Sequence, residues 1–183
     1  GMFAFAIYDS AKQKLFCARD RFGEKPFLFV AKPDFFAFAS EYKALLQLKE
    51  VSLDYDELRL LPGLHKASMG LDGDRQTVFN DIKQLLPSEA MTVDVRTLEN
   101  RIWRYWDVTP KQEFASMSEK EAFDQFREIL IDSVRLRMRS DVPVGSCLSG
   151  GLDSSAIICI VRKLLRSDGV YHTFTGRFPD TAA

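Results

Sequence analysis

Between Cys147 and Ser155 the chain reads Cys147-Leu148-Ser149-Gly150-Gly151-Leu152-Asp153-Ser154-Ser155. Hydroxyls, paired glycines and one carboxylate at this spacing are suited to holding phosphate. The apolar run Val142 to Leu148 before it reads as a short buried strand. The run Ala156 to Leu165 after it is long enough for a helix, and Arg162, Lys163 and Arg166 gather at its C-terminal end, where the helix dipole favours cations. Strand, glycine loop and helix start make a phosphate cradle. Gly150 and Gly151 let the backbone approach a ligand, and the free amides of the first helical turn point at it. Ser149, Ser154 and Ser155 add hydroxyl donors, and one serine can cap the helix. Asp153 is the odd member, since a carboxylate beside phosphates needs a mediator; Mg²⁺ bridging it to phosphate oxygens is the simplest. Neither Gly-Lys-Ser/Thr nor Gly-x-Gly-x-x-Gly is present, so this is neither a Walker loop nor a dinucleotide fingerprint. The plainer alternative is a Gly-Ser turn joining a strand to a helix.

The pattern Ser149-Gly150-Gly151-x-Asp153-Ser154-Ser155 resembles, at every position, that of the ATP pyrophosphatase (PP-loop) enzymes. Those enzymes hold the pyrophosphate half of ATP while a substrate oxygen attacks the α-phosphorus, so that AMP is transferred. The resemblance implies ATP binding by Leu148, Ser149, Gly150, Gly151, Leu152, Asp153, Ser154 and Ser155, with Asp153 also holding Mg²⁺.

The elements that position such a loop belong to a chain of 183 residues, 46% hydrophobic, enough for one domain or two small ones with real cores. A net charge of −1 gives no global attraction to nucleic acid or to an anionic membrane. No apolar run reaches the length of a bilayer span and no secretory leader pattern opens the chain, so a cytoplasmic location is expected. Cys17, Cys147 and Cys159 are widely spread, which indicates neither a zinc site nor a disulfide framework. Cys147 and Cys159 sit in apolar runs and are expected to be small buried hydrophobes.

Met2 to Tyr8, Lys14 to Arg19, Pro26 to Ala31 and Phe35 to Ala39 read as strands separated by polar turns. Several are apolar on both faces, as in a sheet covered twice. Ser40-Glu41 opens a short helix, Tyr42 to Leu48, and residues 54 to 68 a second one. Met91 to Val95 and Arg101 to Trp106 are two more strands. Thr109 to Ser118 is a polar, proline-containing boundary, after which Ser118 and Glu121 form a capping box. Phe123, Phe126, Leu130 and Val134 then mark a core-facing stripe.

A second resemblance covers most of the chain. Gly1-Met2-Phe3-Ala4-Phe5-Ala6-Ile7-Tyr8-Asp9, Ala18-Arg19-Asp20-Arg21-Phe22-Gly23-Glu24-Lys25-Pro26, Phe38-Ala39-Ser40-Glu41-Tyr42-Lys43-Ala44-Leu45-Leu46 and Ile82-Lys83-Gln84-Leu85-Leu86-Pro87 resemble the second half of a class II glutamine amidotransferase domain. Arg104-Tyr105-Trp106-Asp107 and the segment Ser133 to Gly145 resemble the closing strand and the approach to the ATP loop in glutamine-dependent asparagine synthetases. The implied fold is α/β plus α+β. The second half of an N-terminal-nucleophile αββα glutaminase domain (1–108) would be followed by a linker (109–117). The first strand-helix-strand of a doubly wound ATP domain (118–183) would complete the chain. On the same match Gly176, after an expected strand Tyr171 to Thr175, joins Leu148 in contacting the adenine.

The resemblance further implies ATP, aspartate and glutamine as substrates, Mg²⁺ as cofactor, asparagine, AMP and pyrophosphate as products, no nucleic-acid or membrane partner, and room for a homodimer. The family's catalytic cysteine and its glutamine-gripping motifs would lie ahead of Gly1, so an internal fragment, inactive alone, is expected. Cys17, in mid-strand without a terminal amine, is no substitute. Residues 51 to 80 look like an inserted helix and loop. Arg135, Arg137 and Arg139 are read first as a solvated helix end and second as counter-charge for triphosphate. His65 and His172 lack ligand spacing and are read as surface or packing residues. Two other functions stay open: a related ligase, β-lactam synthetase-like or peptide-modifying, acting on another carboxylate; and an inert structural or interaction module.

Overall fold

A computed structural model describes residues 1–60, 74–110, 112–165 and 170–176, in two compact units, Gly1–Thr109 and Pro110–Ala183. In the first, strands β1 (Ala4–Asp9), β2 (Lys14–Arg19), β3 (Leu28–Lys32) and β4 (Phe35–Ala39) lead into a single helical turn, α1 (Tyr42–Leu45). Strands β5 (Lys83–Gln84), β6 (Glu89–Asp94) and β7 (Asn100–Arg104) follow. One antiparallel sheet has the order β1-β2-β6-β7 and a second the order β4-β3-β5.

Local chemistry sets the hairpins. Asp9 accepts from the amides of Ala11 (3.1 Å) and Lys12 (3.0 Å), and Gln13 takes a left-handed φ of 52°, turning β1 back on β2 with Ala4 opposite Arg19. Asp94 repeats the device at the β6–β7 turn, accepting from Arg96 at 3.0 Å. Alternation then sorts the faces. Leu15, Cys17, Met91 and Val93 meet Phe27, Phe29 and Leu85 in a core between the two sheets. Leu28 and Val30, on the opposite face of β3, pack with Leu45, Val51 and Ile82 in a second core under α1. Burial of β3 on both faces is why its sequence is apolar without alternation. The outer face of the first sheet carries an aromatic chain, Phe3, Phe5, Phe16 and Trp103, with ring centroids 5.5 to 6.2 Å apart.

Several boundaries differ from expectation. The helix expected over Tyr42 to Leu48 is α1 alone, because Leu46 ends it and residues 46–51 form turns. Of the helix expected over 54 to 68, residues 57–60 are helical; His65 and the middle of the expected insertion, 61–73, lie outside the described residues.

The second unit begins with a 3-10 turn, Gln112–Ser116. Helix α2 (Glu119–Arg137) starts at the capping box: Ser118 Oγ accepts from the Glu121 amide at 3.3 Å, and Glu121 Oε2 accepts from the Ser118 amide at 2.9 Å. The Ser118 hydroxyl, which also donates to Glu121 Oε2 at 2.7 Å, and the Ser118 amide hold the Glu121 carboxyl below its ordinary pKa. Strand β8 (Gly145–Cys147), helix α3 (Leu152–Leu164) and strand β9 (His172–Phe174) complete it, with β8 and β9 paired in parallel. Helices α2 and α3 touch, burying Val134 and Val161.

Three expectations fail here. The stripe on α2 is covered only at its C-terminal end: Val134 is buried, whereas Phe123 and Phe126 are 64% and 63% exposed. The strand is shorter than Val142 to Leu148 and is not buried, since a lone pair of strands has no covering layer among the described residues; Val142 is itself exposed. For the same reason Cys147 and Cys159 are exposed rather than buried.

Candidate functional site

The Ser-Gly-Gly loop leaves the carboxyl end of β8 and enters α3 directly. Leu148 extends the β8–β9 ladder by one bond, its amide donating to the Phe174 carbonyl at 2.8 Å. Gly150 then adopts φ +83°, a conformation that a side chain resists, and reverses the chain. A Cβ placed there would meet nothing within 4 Å, so the left-handed turn, not crowding, calls for glycine. Gly151 is the N-cap of α3 (φ −77°, ψ 166°), and no side chain caps the helix. The expected serine cap is absent because the N-cap position falls on Gly151, which has no side chain; the hydroxyls of Ser154 and Ser155, inside the helix, donate to the Gly151 carbonyl at 3.2 and 2.8 Å. Ser149 Oγ lies 3.0 Å from Ser154 Oγ and accepts from the Gly151 amide at 3.4 Å.

The amides of Leu152, Asp153 and Ser154 are thereby left without an acceptor among the described residues, at the positive end of a 13-residue helix. The turn is open: Gly150, Gly151, Leu152 and Asp153 are all exposed, Leu152 by 85%. Exposed, acceptor-free amides with hydroxyls beside them suit an anion with several oxygens. Asp153 supplies a single carboxylate in the first turn, and no cluster of three metal-binding side chains occurs among the described residues. This fits Mg²⁺ arriving with phosphate, which needs only one or two protein carboxylates.

Beside the loop, the tips of both strands line an open cleft of about 700 Å³, formed by Cys147, Leu148, Ser149, Thr173, Phe174, Thr175 and Gly176. Leu148 and Gly176, 28 positions apart in the sequence, thus line the same cleft. Thr175 was not singled out by the sequence, yet its Oγ1 donates to the Leu148 carbonyl at 3.0 Å. A hydroxyl next to the strand-ending Gly176 was the available signal. Of the arginine cluster, Arg135 and Arg137 lie on the final turn of α2 and Arg139 just beyond it; Arg135 pairs with Asp132 (2.6 Å) and Arg137 donates to Ser133 Oγ (2.6 Å). These local partners favour the helix-end reading. His172 is exposed.

Polar residues of the first unit are arranged differently. Asp20 accepts from the amides of Phe3 (3.4 Å), Phe22 (3.1 Å), Glu24 (3.0 Å) and Lys25 (2.9 Å). Burial opposes its ionisation, but these amides outweigh burial and hold its carboxyl below the ordinary carboxylate range. Arg19 is buried and donates to the carbonyls of Lys25, Gly23 and Leu85 and to Gln84 Oε1. The Arg19-Asp20 motif is therefore an internal brace. Cys17 is wholly buried, which pushes its thiol up to about 12, far from a reactive thiolate.

Residues 1–106 match the family model of the glutamine amidotransferase domain, and residues 125–183 match that of asparagine synthase. The chain belongs to the glutamine amidotransferase domain family, with the start of an asparagine synthase domain following. Glutamine-hydrolysing asparagine synthetase 3 of Bacillus subtilis is 36% identical over 180 residues, covering 96% of this chain and 28% of that protein. Glutamine-hydrolysing asparagine synthetase 2 of the same organism is 31% identical over 181 residues, with coverages of 96% and 24%. The amidase chry2 of Gibberella zeae is 30% identical over 168 residues, covering 91% of this chain and 24% of that protein. The chain spans between 24% and 35% of the length of the curated asparagine synthetases it matches.

Proposed function

We propose that this chain is part of a glutamine-hydrolysing asparagine synthetase. In this reading residues 1–108 are the second half of an αββα, N-terminal-nucleophile glutaminase domain, 109–117 the linker, and 118–183 the opening of a doubly wound ATP domain. The protein works in the cytoplasm on glutamine, aspartate and ATP. The aspartate side-chain carboxylate attacks the α-phosphorus of ATP, releasing pyrophosphate and forming β-aspartyl-AMP; ammonia released from glutamine then displaces AMP, leaving asparagine.

The observation that carries the reading is the open first turn of α3, whose Leu152, Asp153 and Ser154 amides lack acceptors. Leu148 and Gly176 bind the adenine end of ATP, while Ser149, Gly150, Gly151, Leu152, Asp153, Ser154 and Ser155 hold the pyrophosphate end. Asp153 would hold Mg²⁺, which would supply positive charge for the departing pyrophosphate. The amides and hydroxyls act before and after the displacement without rearranging, which is the advantage of preorganised donors.

In the full-length protein, Asp153→Ala should abolish AMP formation while glutamine hydrolysis survives. Loss of both activities, or of neither, would contradict the assignment. A second reading is favoured by the amidase relative, whose similarity also spans most of the chain: the same adenylation applied to a different carboxylate. Measuring AMP release with a panel of carboxylic acids separates the two.

A further inference from the structure

We propose that Thr175 is a positioning residue for the nucleobase end of the cleft, occupying the Leu148 carbonyl so that the Gly176 amide stays free for a purine. The inference rests on the cleft being a nucleotide site. In a parallel ladder, each strand alternately donates to and accepts from its neighbour. After the bond from the Leu148 amide to the Phe174 carbonyl (2.8 Å), the next regular bond would run from the Gly176 amide to the Leu148 carbonyl. That carbonyl instead accepts from Thr175 Oγ1 at 3.0 Å. The regular pairing accordingly stops at Cys147 opposite Phe174, and the Gly176 amide has no acceptor among the described residues.

A side-chain hydroxyl has taken the place of a main-chain donor. Both polar groups of the Leu148 peptide unit remain satisfied, so the strand tips keep their spacing while one donor is released at the cleft rim. The released donor is chemically selective. Adenine N1 is a bare acceptor that an N–H can meet, whereas N1 of guanine carries its own hydrogen and repels it. With no side chain, and nothing among the described residues within 4 Å of a Cβ position, Gly176 also leaves room for a planar ring. The hydroxyl is the part that matters, so serine should do what threonine does and valine, of equal shape, should not.

The test uses the full-length protein titrated with ATP·Mg²⁺, GTP·Mg²⁺ and magnesium pyrophosphate, comparing Thr175→Val and Thr175→Ser. Thr175→Val should weaken ATP·Mg²⁺ by about tenfold, the worth of one hydrogen bond, narrow the preference over GTP, and leave pyrophosphate within about twofold. Thr175→Ser should bind ATP within about twofold of the unsubstituted protein. Unchanged ATP affinity in Thr175→Val, an equal loss for ATP and pyrophosphate, or a serine variant as impaired as the valine one would overturn the proposal. Should Thr175→Val fail to fold, amide hydrogen exchange on the unsubstituted, nucleotide-free protein decides: rapid exchange at Gly176 is expected, and strong protection contradicts it. Failure of the unsubstituted protein to bind either ATP or pyrophosphate would end the adenylation reading itself, and this proposal with it. Normal ATP binding indifferent to Thr175→Val refutes the proposal alone.

Discussion

The two units spend their polar groups in opposite ways. In the first, Arg19 and Asp20 are nearly as inaccessible as the core around them, and their donors and acceptors are taken up by carbonyls and amides of the same unit. In the second, the polar groups of the Ser149–Ser155 turn are exposed, and three consecutive helix-start amides have no acceptor among the described residues. Buried polar groups that are satisfied brace a fold; exposed ones that are preorganised and unsatisfied await a ligand. The contrast separates two glycine-containing loops that look equally motif-like in sequence.

Glycine substitutions should break that contrast most visibly. Gly23 and Gly150 both have left-handed φ values, +67° and +83°. A Cβ on Gly23 would stand 2.9 Å from Pro87 Cγ and 3.1 Å from the Arg19 guanidinium carbon, whereas on Gly150 it meets nothing. Gly23→Ala should therefore cost backbone strain plus overpacking, about 3 kcal/mol, and Gly150→Ala strain alone, about 1 to 2 kcal/mol, by chemical denaturation. Equal costs would erase the distinction between a packed and an open turn.

Asp20→Asn sharpens the comparison next. Replacing a carboxylate that accepts four amides should destabilise the first unit by about 2 kcal/mol near neutral pH. Because the folded carboxyl titrates below its unfolded value, its stabilisation is complete above about pH 4 and is lost as pH falls through the depressed folded value. The asparagine variant should lose that part of the acid slope. An unchanged slope in urea midpoints measured from pH 5 downward would show that Asp20 is not the brace described. The smallest effect is at the entry of α2, where Ser118→Ala removes one arm of the capping box and should cost about 1 kcal/mol, measurable as a lowered unfolding midpoint of the second unit.

What was legible in the sequence follows the range of the interactions. Lys14 to Arg19 and Phe35 to Ala39 were readable because aromatic, apolar runs and the polar turns that bound them are local, and the Ser118–Glu121 box because its partners are three residues apart. The role of Arg19 was not, since Gln84 and Leu85 reach it from 65 and 66 residues away. The glycine-serine turn was readable as a turn, but not its hydroxyl geometry. Whether a serine caps the helix depends on where its first turn begins, here after Gly151, which spacing does not fix. Cys147, Val142 and Phe126 were misread for one reason: an apolar run shows what a segment prefers to touch, not whether anything covers it. Thr175 escaped notice because its meaning lies in a ladder bond it replaces on another strand.

The account stands or falls on whether the open turn of α3 takes the phosphates of a nucleotide. Titrating the full-length protein with ATP in the presence and absence of Mg²⁺, with Asp153→Ala alongside, tests this directly. The prediction is Mg²⁺-dependent binding that the substitution removes. Absence of binding in the unsubstituted protein, or binding indifferent to Asp153, would contradict it.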